Sequence, residues 1–519
     1  MPDITILNGI TLRPGQSEKA LYDNAARMLG KAPGYFRLIK KSLDARDKKD
    51  IKWVYSFEFA EKAPAEKTPP PAVPAEKLPS DPAIIVGSGP AGLFAALRLI
   101  ERGVTPVVIE RGECVEKRIM STCAFFSGKE LDPESNIQFG EGGAGTFSDG
   151  KLNTQTHSRY VGEVAEIFAR FGAPEEIKYL SKPHIGSDNL KKVVVSMRKF
   201  IESRGGKVLF GTRLDDIVVK EGAVSEITVY SPTGGKKIKP SALILAIGHS
   251  ARDTFEMLLR RGICMRAKDF AVGFRIEHLQ SAINYAQYGD CRALLPPADY
   301  KLVSHTDKGD AFTFCMCPGG YVTAAASERG GVVTNGMSDF ARDAVNANSA
   351  LISPVNKAVF GSDHPLAGMY FQRAVEREAF SRTGGYAAPA QRAEDFLAGR
   401  KTLSWGEIAP TYPGAQPACA NGILPPAVEA ALKAAICDMD KKLKGFACPD
   451  AVLTFPETRT SSPVRILRDQ YLRSVSARNL YPCGEGAGYA GGITSSAADG
   501  MRVADAVCDA LVGESGACG

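Results

Sequence analysis

The stretch Ala83–Gly112, AIIVGSGPAGLFAALRLIERGVTPVVIERG, decides the fold. Ala83 to Val86 is a short apolar run that reads as a strand. Gly87, Gly89 and Gly92 follow it at the spacing G-x-G-x-x-G, with Ser88, Pro90 and Ala91 between them. At this spacing each glycine has its own task. The first allows a tight turn, the second lets main-chain N–H groups approach a pyrophosphate, and the third lets the next helix pack on the strand. The pattern predicts a helix over Pro90–Glu101, its positive end facing the phosphates and Gly103 suiting its C-terminal cap. A second strand, Pro106–Ile109, ends in Glu110, about 20 residues past the glycines. That carboxylate suits two ribose hydroxyls and repels a 2′-phosphate. The glycines alone are a weak signal; strand, helix, strand and acid in register make a dinucleotide cradle on an α/β fold.

Around this unit the chain has 519 residues, enough for several domains. Its 64 basic and 58 acidic side chains leave a net charge of +6, too balanced to demand a nucleic-acid partner. The start of the chain shows no basic stretch followed by an apolar run, and no apolar run approaches the ~18 residues of a membrane span. Twelve cysteines, from Cys114 to Cys518, follow no disulfide pattern and read as reduced thiols. The expected location is the cytoplasm.

Residues 1–60 read as a small α/β unit. DITILNGITL is strand-like, SEKALYDNAARML is helical with Leu21, Ala25 and Leu29 on one face and Ser17 as a candidate N-cap, and IKWVYSFEF is strand-like. The basic stretch RLIKKSLDARDKKDIK between them reads as a solvated face, with docking of RNA or an acidic partner as the alternative. Residues 61–81 form a proline-rich linker. Helical patterns lie between Val161 and Gly206. A strand pair, KVLFGTRLDDIVVKEG with AVSEITVYSPTGG, and a buried strand in SALILAIGHS follow. From Cys264 to Leu472 the composition changes to mixed strands, loops and the helix-like PPAVEAALKAAICDMDKKLKG. The expected architecture is a Rossmann-like nucleotide-binding domain (82–263 and 473–519) with an inserted α+β substrate or cap domain (264–472) and the small N-terminal α/β domain.

The C-terminal segment YPCGEGAGYAGGITSSAADG resembles the second nucleotide-site motif of the glutathione-reductase-type FAD superfamily. In that resemblance Gly484 and Glu485 stand where an acid holds the ribityl chain. Gly491 and Gly492, with Ile493, open a helix toward the flavin pyrimidine edge, where its N-terminus stabilises the charge of reduced flavin. LILAIGHSA, with Ala246 and Gly248, resembles a third element, and the backbone near Leu214 is expected to meet adenine. FGEGGAGTFSDGKLNT, AIGHSARDTFEML, FCMCPGGYV and NGMSDFARD together resemble the bacterial family of uncharacterised FAD-dependent dehydrogenases, or NAD(P)/FAD-dependent oxidoreductases. The resemblance runs over nearly the whole chain. It implies FAD, the fold and hydride exchange with a small organic molecule, with NAD(P)H as a transient electron partner. It leaves the substrate open.

From these motifs Gly142, Gly143 and Thr146 are expected to face phosphate, and Ser148, Asp149 and Lys151 to lie nearer the ring; a structural loop is the alternative. Lys151 is the candidate that tunes hydride acceptance. Arg111 and Arg118 are candidate phosphate or adenine contacts. His249, oriented by Arg252 or Asp253, is a candidate general acid, and Tyr489 a candidate ring shield. His278, with Arg275 and Glu277, is a second candidate on the substrate side. Cys114 and Cys123 have the wrong spacing for a flavin-coupled dithiol. Cys315 and Cys317 are either a redox pair or packing groups. No cysteine or histidine spacing suits a metal. Two readings rival hydride transfer: an RNA-associated flavoprotein, and a flavin redox sensor without catalysis.

Overall fold

A computed structural model describes residues 4–30, 34–64 and 69–513. Asp3 of the first predicted strand, residues 65–68 of the linker and Cys518 lie outside them.

Strands β1 (Thr5–Leu12), β2 (Tyr35–Asp44) and β3 (Lys52–Ala60) form an antiparallel sheet in the order β1-β3-β2. The helix Ala20–Leu29 covers one face, where Leu21 and Ala25 pack with Tyr55, Phe57 and Phe59. Ser17 does not cap this helix. Lys19 holds the cap position, and Ser17 Oγ accepts a hydrogen bond from its N–H. β2 falls on the basic stretch, where paired lysines hide the two-residue period. Lys41 lies over the Trp53 ring and pairs with Glu18 at 2.5 Å, so part of this charge serves packing within the unit. β2 also docks by its edge, since Lys41 N–H donates to the Tyr179 carbonyl and Ser181 N–H to the Lys41 carbonyl.

The second sheet is parallel, in the order β22-β10-β4-β5-β6, from β4 (Ala83–Val86), β5 (Pro106–Ile109), β6 (Lys207–Leu209), β10 (Ala242–Leu245) and β22 (Leu480–Pro482). β4 and β10 are buried at every residue, the mark of a parallel sheet covered on both faces. Helix Pro90–Glu101 follows β4 and helix Ile493–Gly513 follows β22. They pack side by side, so tightly that a Cβ on Gly500 would fall 2.1 Å from the Ala91 carbonyl oxygen. β7 (Arg213–Lys220), β8 (Ala223–Ser231) and β9 (Gly234–Ile238) make a separate meander. The first of the two strands expected here is thus split: Lys207–Leu209 joins the parallel sheet, and only Arg213–Lys220 pairs with β8.

The third sheet has seven strands in the order β13-β14-β17-β12-β20-β18-β19. They are β12 (Phe270–Leu279), β13 (Val303–Thr306), β14 (Gly309–Cys317), β17 (Asn346–Val355), β18 (Pro389–Arg392), β19 (Gln416–Pro417) and β20 (Val452–Glu457). Along β12, Val272, Phe274 and Ile276 enter a large apolar core that includes the helix Pro426–Lys442. The alternate residues Gly273, Arg275 and Glu277 therefore take the opposite face. β11 (Met265–Ala267) pairs with β21 (Val464–Ile466), and β15 (Tyr321–Ala324) with β16 (Thr334–Met337). Arg252 ties the parallel-sheet side to the seven-stranded side through Glu376 (2.7 and 2.8 Å) and Glu328 (2.5 Å). Glu376 also accepts from Arg459 and Thr458. Burial would raise the Glu376 carboxyl, but Arg252 and Arg459 hold it well below the usual carboxylate range. Among the described residues no helix is long and apolar enough to cross a membrane.

Candidate functional site

A cavity lies where the C-terminal ends of β4, β10 and β22 meet the face of the seven-stranded sheet, the place where open parallel sheets bind ligands. Gly87, Gly89, Pro90 and Ala91 line it on one side and Glu485, Gly491, Gly492 and Ile493 on another, so the two glycine turns meet around one space. Gly87 has φ +104°, and a Cβ there would fall 2.3 Å from the Ala246 carbonyl oxygen. A Cβ on Gly92 would fall 1.9 Å from the Gly87 carbonyl oxygen, so the third glycine is a packing requirement and faces away from the cavity. Gly491 and Gly492 have no atom within 4 Å of where a Cβ would lie. The N-termini of both helices thus open on the cavity with unobstructed backbone, a double site for negative charge.

Glu110 lines the cavity, and four donors hold its carboxylate: Ser88 N–H and hydroxyl on one oxygen (2.8 and 2.9 Å), Gly112 and Gly140 N–H on the other (both 2.9 Å). Ser88 is therefore tied to Glu110 and does not line the cavity. Arg111 lines it while bonded to Asp253 in two contacts (2.9 Å each) and to Glu134, its guanidinium over the Phe139 ring. Arg118 is elsewhere. Fully buried, it donates to the carbonyls of Asn136, Ile137 and Glu141, and burial lowers it to about 10. It clamps the loop beneath the cradle. Leu214, Ala246 and Gly248 line the cavity.

The glycine loop after Phe139 is divided. Gly143, Ser148, Asp149 and Lys151 line the cavity, whereas Gly142 and Thr146 do not. Gly142, at φ +78°, docks its N–H on the Ser88 carbonyl, and Thr146 gives its hydroxyl to the Glu141 carbonyl. Asp149 is gripped by Arg342 (2.9 and 2.5 Å) and by the Ser338 hydroxyl, both on the segment that follows β16. Burial opposes its charge, but Arg342 and Lys151 overcome this and its pKa is lowered.

His249 lines the cavity, its Nδ1 2.9 Å from Glu485 Oε1. Its Nε2 is buried and has no hydrogen-bond partner among the described residues. Glu485 orients this ring; Arg252 and Asp253, the expected partners, are engaged with Glu376 and Arg111. Gly484 lies behind, giving its N–H to Asp499. Tyr489 is also outside the cavity: its ring carries the Arg468 guanidinium at 3.7 Å and its hydroxyl donates to the Ile466 carbonyl. His278 is removed too, because its parity on β12 turns it from Arg275. Its Nε2–H donates to the Phe446 carbonyl (2.8 Å) and burial lowers it to about 4.

The seven-stranded sheet supplies one wall, from Arg275, Phe314, Cys315, Cys317 and Glu457, and β16 of the two-stranded sheet adds Asn335 and Gly336. Arg275, Cys315 and Cys317 are candidates from the sequence; Glu457 and Asn335 are not. Arg275 is wholly buried, paired with Glu457 (3.0 and 3.2 Å) and bonded to the Cys315 carbonyl, Asn348 and Asn335. β14 carries one extra residue against β17 between Phe314 and Cys317, and Cys315 there has φ +46°. The bulge reverses the strand's parity: Ala311 before it and Met316 after it both enter the core, so Cys317 joins Cys315 on the cavity side. Desolvation by the cavity walls pushes the Cys315 thiol, which itself faces open cavity space, up to about 12, and burial raises Cys317.

Comparison with known proteins agrees with this geometry. A protein of Clostridium beijerinckii described as uncharacterized is 46% identical over 493 residues, covering 91% of this chain and 92% of that protein. Residues 269–460 match a family model described as "FAD-dependent protein, C-terminal domain-like", and residues 81–118 one described as "FAD binding domain". The chain belongs to this family of FAD-dependent proteins. Two solved structures are also similar to the flavoprotein. The flavin-dependent brominase Bmp2 is 11% identical, with 83% of this chain and 80% of that one covered and a TM-score of 0.37. A geranylgeranyl bacteriochlorophyll reductase-like protein from Thermoplasma acidophilum is 11% identical, with 84% and 79% covered and a TM-score of 0.37. The site itself fits FAD: two open helix ends, a Gly89 whose nearest neighbour to an added Cβ is 3.8 Å away, and an unpartnered His249 Nε2.

Proposed function

We propose that this flavoprotein is an oxidoreductase that exchanges hydride with a small organic substrate, NAD(P)H serving as its electron partner. One observation carries the reading: a continuous cavity joins both helix N-termini to a polar wall on the seven-stranded sheet. Gly89–Ala91 and Gly143 would take the pyrophosphate, and Glu110 the ribose, in place of the Ser88 hydroxyl. Leu214 and Ala246 would flank adenine. Glu485 with His249 would take the ribityl chain, and Gly491–Ile493 the pyrimidine edge of the ring. Bound FAD supplies a hydride donor or acceptor at N5. The chain's own part is to set charge and exclude water. The Ile493 helix end favours negative charge at the ring, while Asp149, held by Arg342, fixes the loop beside it. His249, fixed through Nδ1, presents Nε2 to whatever enters.

The test is purification without added cofactor, release of the bound chromophore and its identification as FAD by mass, then anaerobic mixing with NADH and with NADPH. Rapid bleaching of the flavin by one of them is the expected result. A protein that takes up no FAD overturns the site. A flavin that neither nucleotide reduces overturns the electron partner.

A further inference from the structure

We propose that the sheet end of the cavity is a subsite for a carboxylate group of the substrate, with Lys151 as its counter-ion and the Cys315 thiol beside it. This rests on the reading of the cavity as the flavin site. It follows from how the lining charges pair. Arg111 is held by Asp253 and Glu134, Arg213 by Glu134 and Asp215, Arg275 by Glu457, and Arg459 by Glu376. Lys151 differs. Its nearest carboxylate, Asp149, is already held by Arg342 and Ser338, and Lys151 Nζ stands 3.9 Å from it. Among the described residues that ammonium makes no hydrogen bond, although its side chain is only 28% exposed. The other lining carboxylates are engaged as well: Glu110 by four donors, Glu457 by Arg275, Glu485 by His249.

A cation drawn partly out of water, whose nearest carboxylate stands at 3.9 Å and is already held by Arg342, gains from a ligand anion placed beside it. Asn335 adds a neutral donor. Its carboxamide oxygen accepts from Arg275 and from Gly336 N–H, while its NH2 group has no partner among the described residues. Cys315 marks the same end. The bulge turns it onto the cavity, and Lys151 is the leading charge acting on its thiol.

The experiment alkylates the FAD-loaded full-length protein with iodoacetate or with iodoacetamide and follows Cys315 by peptide mass mapping. Each reaction forms an S–C bond as iodide leaves, the thiol proton passing to solvent. Both reagents meet the same thiol, so its acidity cancels in the ratio of rates, and the exposed Cys123 and Cys264 give the reference ratio. The expected result is an iodoacetate preference at Cys315 about tenfold above the reference. Lys151→Gln should abolish this preference while the flavin absorbance stays, and Lys151→Arg should keep most of it. A Cys315 ratio equal to the reference, or a Cys315 inert to both reagents, overturns the subsite. So does loss of FAD from Lys151→Gln, which would make Lys151 the cofactor's counter-ion. A wild-type protein devoid of FAD absorbance fails the flavin reading instead, a separate outcome.

Discussion

The two walls of the cavity are made of different material. The cradle wall, from Gly87–Ala91 and Gly491–Ile493, presents main chain and helix ends. The sheet wall, from Arg275, Cys315, Asn335 and Glu457, presents side chains held in a paired-charge lattice. Backbone recognition needs glycine at fixed spacing within a few residues, so it leaves a short motif. Side-chain recognition gathers single residues from β12, β14, β16 and β20, so no one stretch of sequence spells it out. The cradle suits a ligand part common to many proteins, the wall a part peculiar to this one.

The sharpest way to break the wall alone is Arg275→Met. It leaves Glu457, 3% exposed, charged and unpaired. Removing one partner of a buried pair costs about 3–5 kcal/mol. Urea unfolding should show this loss, and the double variant Arg275→Met/Glu457→Leu should recover most of it. If the single variant lost under 1 kcal/mol (~0.5 or less being typical of surface changes), the lattice would not be what holds the wall.

The opposite face of the same strand predicts a pH effect. His278 is neutral in the fold, with its pKa lowered from 6.5 to about 4 by burial. The unfolded chain binds the proton more tightly, so stability is full above pH 6.5 and falls as pH drops toward 4. At about 1.4 kcal/mol per pH unit the loss amounts to about 3 kcal/mol. Urea midpoints measured across this range should lose that component in His278→Gln. An unchanged slope in the variant would assign the acid sensitivity to other groups.

The cradle responds to bulk rather than charge. In Gly92→Ala the new Cβ would meet the Gly87 carbonyl oxygen at 1.9 Å. Overpacking of this kind costs about 2 kcal/mol, enough to weaken FAD retention about thirtyfold and lower the melting temperature together. Gly491→Val separates the two effects. No atom lies within 4 Å of its Cβ position, so the fold should keep its melting temperature while FAD titration shows weaker binding. Equal FAD affinity in Gly491→Val would remove that helix end from the cofactor site.

This contrast explains what could be read from the chain. The strand–helix–strand around Gly87, Gly89 and Gly92, the acid at Glu110, the helix from Ile493 and the helix Pro426–Lys442 are written in local spacing, and each forms as expected. Strand β2 was hidden because its register against β3 shifts between Leu38 and Lys40, and Lys41 turns inward to pair with Glu18, so its residues do not alternate plainly. Arg118, Thr146 and Tyr489 belong to the right motifs, yet they point behind the cavity. A motif fixes the neighbourhood of a residue but not the direction of its side chain. Arg342 and Glu457 lie far along the chain from Asp149 and Arg275, and only the packing of the two sides brings them together.

The smallest effect concerns the bulge where the wall borrows the cradle's device. Cys315 holds φ +46°, a conformation that glycine adopts freely and other residues adopt at a cost of about 1 kcal/mol. Its thiol is open to the cavity, so truncation removes little packing. Cys315→Gly should therefore stabilise the protein by about 1 kcal/mol, and Cys315→Val, branched at Cβ, should destabilise it by a similar amount. Denaturant midpoints of the two variants measure the pair. Were glycine to destabilise as much as valine, contacts of the thiol, rather than the backbone, would hold this turn. If glycine stabilises as expected, a cysteine stands here at a stability cost that folding does not require. The thiol's place on the cavity face then has to be explained by what the cavity binds.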